Sequence, residues 1–173
     1  STISFNSASS SGGGVYSRII NPSSSTVSIQ NSTVSKNTGS RGAGVANFAY
    51  TNLTISSSSI SENTSTSFGG GIYNGNSDNL TISNSTISGN TSANSAGGVY
   101  IGFSENINIS NSSISGNTTG SRGGGVYFKA SENLTISSSS ISGNMSASDG
   151  GGIHSPLSRN LNIQASSITA NQS

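Results

Sequence analysis

Few side chains in this sequence can carry chemistry, and those that can recur at one interval. Asp78, Glu105 and Glu132 stand 27 residues apart, with Arg159 next in the series. Carboxylates brought side by side are the material of an acid–base pair or of a hard-cation site. The single histidine, His154, continues a row formed by Tyr16, Ala46, Tyr73, Tyr100 and Tyr127. A row of tyrosines (Tyr16, Tyr73, Tyr100, Tyr127) can seat sugar rings or a protein partner, or can simply cover the strand beneath it. A third series consists wholly of hydroxyls: Thr33 and Ser35, Ser59 and Ser61, Thr86 and Ser88, Ser113 and Ser115, Ser140 and Ser142, and Ser167 and Thr169, with Thr2 and Ser4 opening it. There is no cysteine, so disulfides and thiolate metal sites are excluded.

The elements that hold these residues are legible from the aliphatic pattern. Val15, Val45, Ile72, Val99, Val126 and Ile153 each follow a glycine cluster, at spacings of 30 and then 27 throughout. A second block, Val27-x-Ile29 through Leu161-x-Ile163, and a third, Val34 through Ile168, keep the same interval after one step of 26. Each segment is short, rich in β-branched residues, alternates with period two and is bounded by Gly, Asn and Ser, which predicts strand and not helix. Three strands per unit of 27 predict an all-β, right-handed parallel β-helix of about six coils, with handedness following the general rule for parallel crossovers. Each residue then lies above its counterpart one coil earlier, about 4.8 Å away. Ser32, Ser58, Ser85, Ser112, Ser139 and Ser166 share inward parity with the third-block aliphatics and predict a hydroxyl ladder. Asn37, Asn63, Asn90, Asn117, Asn144 and Asn171, and a second set from Asn52 to Asn160, fall at corners, where a left-handed residue or an amide ladder is favoured.

Composition agrees with a repeat architecture. Of the 173 residues only 29% are hydrophobic and 6% charged, with net charge +1. Disorder would combine such low hydrophobicity with high net charge and no apolar period. No apolar run is long enough to span a membrane, and the six basic residues form no nucleic-acid patch in the sequence. Twelve Asn-x-Ser/Thr triplets occur, as expected in a chain so rich in these residues. Residues 1–173 are expected to form one solenoid domain, uncapped at both ends, as a segment of a longer array or a subunit that self-associates head to tail through its open coils.

The unit from Gly69 to Ser95, GGGIYNGNSDNLTISNSTISGNTSANS, resembles the repeats of chlamydial polymorphic membrane proteins and similar bacterial surface proteins with right-handed β-helix passengers. Where that family has Phe-x-x-Asn, this chain has Ile/Val-x-x-Asn, as at Ile87 to Asn90. The resemblance implies a secreted or cell-surface adhesin or filament without catalysis, meeting a glycan or host surface. The hydroxyl series is also similar to the Thr-x-Thr faces of β-solenoid antifreeze proteins, although serine dominates here, which gives ice binding as an alternative. Polysaccharide-degrading β-helices place carboxylates on adjacent coils, which gives the acidic column a second alternative. That column is expected at a solvated corner, with Lys129 and Arg159 offsetting its charge, so no catalytic, cofactor-binding or metal-ligating residue is assigned and no cofactor is expected.

Overall fold

The computed structural model describes residues 1–19, 25–49 and 51–173, and among these every regular element is a strand. The strands stack in parallel into four sheets that wind as a right-handed solenoid. The glycine sheet has six strands, from Val15–Arg18 to Ile153–His154, and the leucine sheet has six, from Ser25–Gln30 to Arg159–Gln164. The hydroxyl sheet has seven, from Thr2–Ser4 to Ser167–Thr169. These are the three strands per coil expected from the aliphatic blocks. Between the hydroxyl and glycine strands runs a short fourth sheet of five, from Thr38–Arg41 to Met145–Ser146. Its inward positions are Gly39, Ser65, Ser92, Thr119 and Ser146, all buried, and a strand that buries only small polar residues has no hydrophobic signature. It fits because the glycine cluster opposite presses backbone against backbone: a Cβ built at Gly124 would stand 2.6 Å from the Met145 carbonyl oxygen.

Register holds from coil to coil in the glycine, leucine and hydroxyl sheets, and slips once in the short sheet, between Gly39 and Arg41. Leu80 pairs with Leu53 and Ile107, and Ile87 with Ile60 and Ile114, so like side chains stack on like. The aliphatic columns form one core, in which Ile60, Ile72, Ile82, Ile87, Ile109 and Ile114 are fully buried. One further inward column changes character along the rod, from Asn47 and Asn74 to Ile101 and Phe128. The Asn47 amide donates to the Asn74 Oδ1 at 2.8 Å.

The asparagine corners form a closed hydrogen-bond circuit. The Asn63 side-chain nitrogen donates to Asn90 Oδ1 at 2.9 Å and to the Val34 carbonyl at 3.0 Å, while its backbone N–H donates to the same Oδ1 at 3.0 Å. Asn90, Asn117 and Asn144 repeat this pattern one coil on. These asparagines are not themselves left-handed. The residue before each one is: Lys36, Glu62, Gly89, Gly116 and Gly143 have φ between 55° and 63°. In the second set the left-handed expectation holds for Asn106, Asn133 and Asn160, and those side chains make an exposed ladder.

The inward glycines answer the buried ladder. A Cβ at Gly71, Gly98 or Gly125 would lie 3.0–3.2 Å from the Nδ2 of Asn90, Asn117 or Asn144. At Gly125 it would also meet the Gly152 carbonyl oxygen at 2.6 Å.

Replacing Asn117 by Leu should strand the backbone and side-chain N–H donors of Asn90. It also takes the amide donor from the Ile87 carbonyl and from Asn144 Oδ1, which keeps only the backbone N–H of residue 117. The expected cost is about 3–5 kcal/mol for two or more unsatisfied groups in a dry interior. Ser115→Ala, on the outer face two residues earlier in the same coil, should stay within about 0.5 kcal/mol. Chemical denaturation of the two variants checks this; equal midpoints would show that the ladder does not hold the rod together.

Candidate functional site

Because Val34, Ile60, Ile87, Ile114 and Ile141 are fully buried, the flanking residues of the same strands are forced outward. Thr33, Ser59, Thr86, Ser113, Ser140 and Ser167 therefore form one row, and Ser35, Ser61, Ser88, Ser115, Ser142 and Thr169 a second, each continued by Thr2 or Ser4. All are half-buried or exposed. Rows about 6.7 Å apart with a repeat of about 4.8 Å give a regular array of small donors and acceptors. No charged or aromatic side chain interrupts it.

The tyrosine row lies on the outside of the glycine sheet. Tyr73 and Tyr100 stack with centroids 4.9 Å apart and planes within 3°, and Tyr127 and His154 extend the stack at 5.3 Å per step. Ala46 would break the row, but Phe48, two residues on and on the same face, fills it at 4.8 Å from Tyr73 and 5.7 Å from Tyr16. Phe68, from the short sheet, adds a ring 5.2 Å from Tyr100. The Tyr73 and Tyr100 rings lie over Gly75 and Gly102, where a Cβ would come within 2.6 and 2.9 Å of ring carbon. Tyr100 and Tyr127 are only 6% and 8% exposed, whereas Tyr16 is 52% exposed. The middle rings thus turn their faces to one another and cover the glycine strand, and Tyr16 offers the accessible ring. Burial, aided by the neighbouring Tyr73 and Tyr127 and opposed by Arg41, pushes the Tyr100 phenol up to about 12. Burial also raises Tyr73, against the Arg41 guanidinium 6.0 Å from its ring.

The acidic column is in register but open to solvent. Asp78 and Glu105 are exposed, and Glu132 meets Arg159 at 3.4 Å in one of three axial ion pairs found among the described residues. The others join Lys36 to Glu62 and Arg122 to Asp149. Lys129 lies 5.6 Å over the exposed Phe103 ring. Exposed pairs of this kind contribute about 0–1 kcal/mol each. Among the described residues no three His, Asp or Glu side chains converge as metal ligands.

Two features beyond the short fourth sheet and the Phe48 ring escaped the sequence reading. Ser77, Ser104, Ser131 and Ser158 form a further axial ladder, each backbone N–H donating to the next hydroxyl at 3.3–3.4 Å. The 27-residue register alone would have shown it. The second feature is a groove of about 960 Å³ at the corner between the leucine and hydroxyl sheets, lined by Asn84, Asn111 and the expected serine ladder. A further stretch of about 550 Å³ shares Asn84 with it. The Ser85 hydroxyl donates to the Ser83 carbonyl at 2.7 Å and accepts the Ser58 N–H at 3.1 Å, so this ladder links neighbouring coils along the groove floor. Of the glycosylation triplets, Asn63, Asn90, Asn117 and Asn144 are consumed by the buried amide ladder, while Asn31, Asn84, Asn108 and Asn111 are exposed.

A family model described as "Right handed beta helix region" matches residues 59–173. No curated protein and no solved structure matches the chain.

A phenol whose folded pKa is raised stabilises the fold fully below its unfolded value near 10, and that contribution is lost as pH rises toward 12. Equilibrium unfolding of the wild type should therefore weaken across this window, and Tyr100→Phe should show a shallower decline. Identical alkaline limbs would contradict burial of the Tyr100 hydroxyl.

Proposed function

The chain belongs to the right-handed β-helix family, and from that premise we propose that it is a non-catalytic extracellular rod with a structural and adhesive role. One observation carries this reading: the buried asparagine and serine ladders run along the axis from coil to coil, while the outer face repeats one uncharged hydroxyl unit at every coil. Axial ladders favour stiffness, and a surface that repeats a weak contact many times favours avidity over strong single-site binding. The resemblance to secreted surface repeats supports an exported location. Head-to-tail association of the 173-residue chain belongs to the same reading.

Negative-stain imaging over a range of protein concentrations tests the fibre. Uniform filaments about one solenoid wide are expected, and discrete short particles at every concentration would remove self-assembly from the reading.

The seven in-register strands of the hydroxyl sheet favour a second reading, ice binding, because a flat uncharged array can match a planar lattice of water. If it holds, ice crystals grown with the wild-type chain should become faceted, and Ser88→Tyr combined with Ser115→Lys should abolish faceting. Smooth round crystals with the wild type would eliminate it.

A further inference from the structure

We propose that the first three strands of the glycine sheet carry a docking site for an acidic peptide segment of a protein partner, built from Tyr16, Arg18, Arg41, Phe48 and Tyr73. The site goes beyond the adhesive reading above, which rests on the hydroxyl sheet.

Unpaired positive charge marks the site. Strand alternation sets Tyr16 and Arg18 on one outer face, and register places Arg18 beside Phe48 of the next coil. Arg41 reaches the same aromatic row from the short sheet, its guanidinium 6.0 Å from the Tyr73 ring. Arg18 ends its strand on the side of the leucine sheet, so the two guanidinium groups flank the row, and both are exposed. Of the five acids in the chain, Glu62, Glu132 and Asp149 are held by Lys36, Arg159 and Arg122. Asp78 and Glu105 stand exposed three residues past the ends of their glycine strands, at the corner beyond the sheet. Arg18 and Arg41 therefore have no acid partner among the described residues, which include every acid of the chain. Each can give a carboxylate a charge-assisted, forked pair of hydrogen bonds.

The rings between them narrow the choice of partner. Phe48 lies 5.7 Å from Tyr16 and 4.8 Å from Tyr73, so the ring faces are largely spent within the row. Sugar rings and nucleobases bind by stacking on free faces, and in this row Tyr16, 52% exposed, is the ring with one to offer. Ring edges carry the positive end of the aromatic quadrupole, which favours carboxylates and peptide carbonyls. Aromatic rings with arginine, and without acids, are also the composition of energetically dominant protein interfaces. The pattern is confined to this end of the sheet. Further along, Gly75 and Gly102 stand in the register of Arg18 and Phe48, beneath the Tyr73 and Tyr100 rings, and Tyr100 and Tyr127 are nearly buried.

Fluorescence anisotropy with a short labelled peptide rich in Glu and Tyr, against a counterpart with Gln for every Glu, tests the site. The acidic peptide should bind, more weakly as salt is raised, and the Gln peptide should bind at least about tenfold more weakly. Arg18→Gln with Arg41→Gln should weaken binding about tenfold, and Tyr16→Ala should weaken it further. Arg159→Gln, which removes an arginine already paired with Glu132, and Ser88→Tyr, on the hydroxyl sheet, should leave it unchanged. Circular dichroism checks that every variant is folded. Absence of binding, equal binding of the Gln peptide, an unaffected double arginine variant, or an equal loss in Arg159→Gln or Ser88→Tyr each overturns the site. Equal or tighter binding of a sulfated oligosaccharide or a single-stranded oligonucleotide makes the face a general anion surface and overturns the peptide assignment.

Discussion

Asn63, Asn90, Asn117 and Asn144 sit fully buried beside the aliphatic columns, and each uses both amide hydrogens and accepts two hydrogen bonds on its side-chain oxygen. Much else follows from accommodating them. An asparagine aimed inward leaves no room for a side chain on the wall opposite, so Gly44, Gly71, Gly98 and Gly125 must face it. A bend tight enough to turn it inward requires a left-handed residue just before it, supplied by Glu62, Gly89, Gly116 and Gly143. A single unsatisfied amide in such an interior costs about 1–3 kcal/mol, so the ladder tolerates no change of register between coils. Substitution anywhere in the column is therefore felt by two neighbouring coils.

This constraint divides the molecule. Inside, the asparagine and serine ladders are aligned with the axis and satisfied by neighbouring coils, with Asn47 Oδ1 and Ser65 Oγ left without a partner among the described residues; outside, the strand alternation exposes whatever the sequence places between the aliphatics. On the hydroxyl sheet that is serine and threonine without interruption, and the same is true of the groove beside it apart from Asn84, Asn111 and their like. The glycine sheet is the exception. Its weak, side-chain-poor strands are covered by a continuous aromatic stack, in which Phe48 replaces a missing tyrosine from two residues further along. Aromatic cover there and hydroxyl display elsewhere suit a rod that is stiff along its length and sticky through repetition.

How far the sequence led depended on whether a position repeats a recognisable side chain. The aliphatic columns, the Ile/Val-x-x-Asn corners and the two outward hydroxyl rows were legible because a coil of constant length stacks like on like, and the register of Leu53, Leu80 and Ile107 follows directly. The short fourth sheet was not legible: Gly39, Ser65, Ser92 and Thr119 are read as turn when no aliphatic residue marks the inward face. The ring contributed by Phe48 was also hidden, because its place in the stack comes from side-chain reach across coils and not from its position in the repeat.

By itself the sequence determined the β-solenoid class, the coil length and which residues of the three aliphatic strands share a face, since period-two alternation inside a 27-residue period stacks like positions on like. Only the tertiary structure decided which polar residues are consumed and which are offered. Asn90 and Asn84 look alike along the chain, yet one is fully buried between coils and the other stands open at the rim of a groove. The difference lies in the direction of the local bend: a left-handed residue before Asn90 turns that side chain into the core, whereas Asn84 is itself the left-handed residue and points outward. Bend direction is set by how adjoining sheets pack, and packing is written in no single coil.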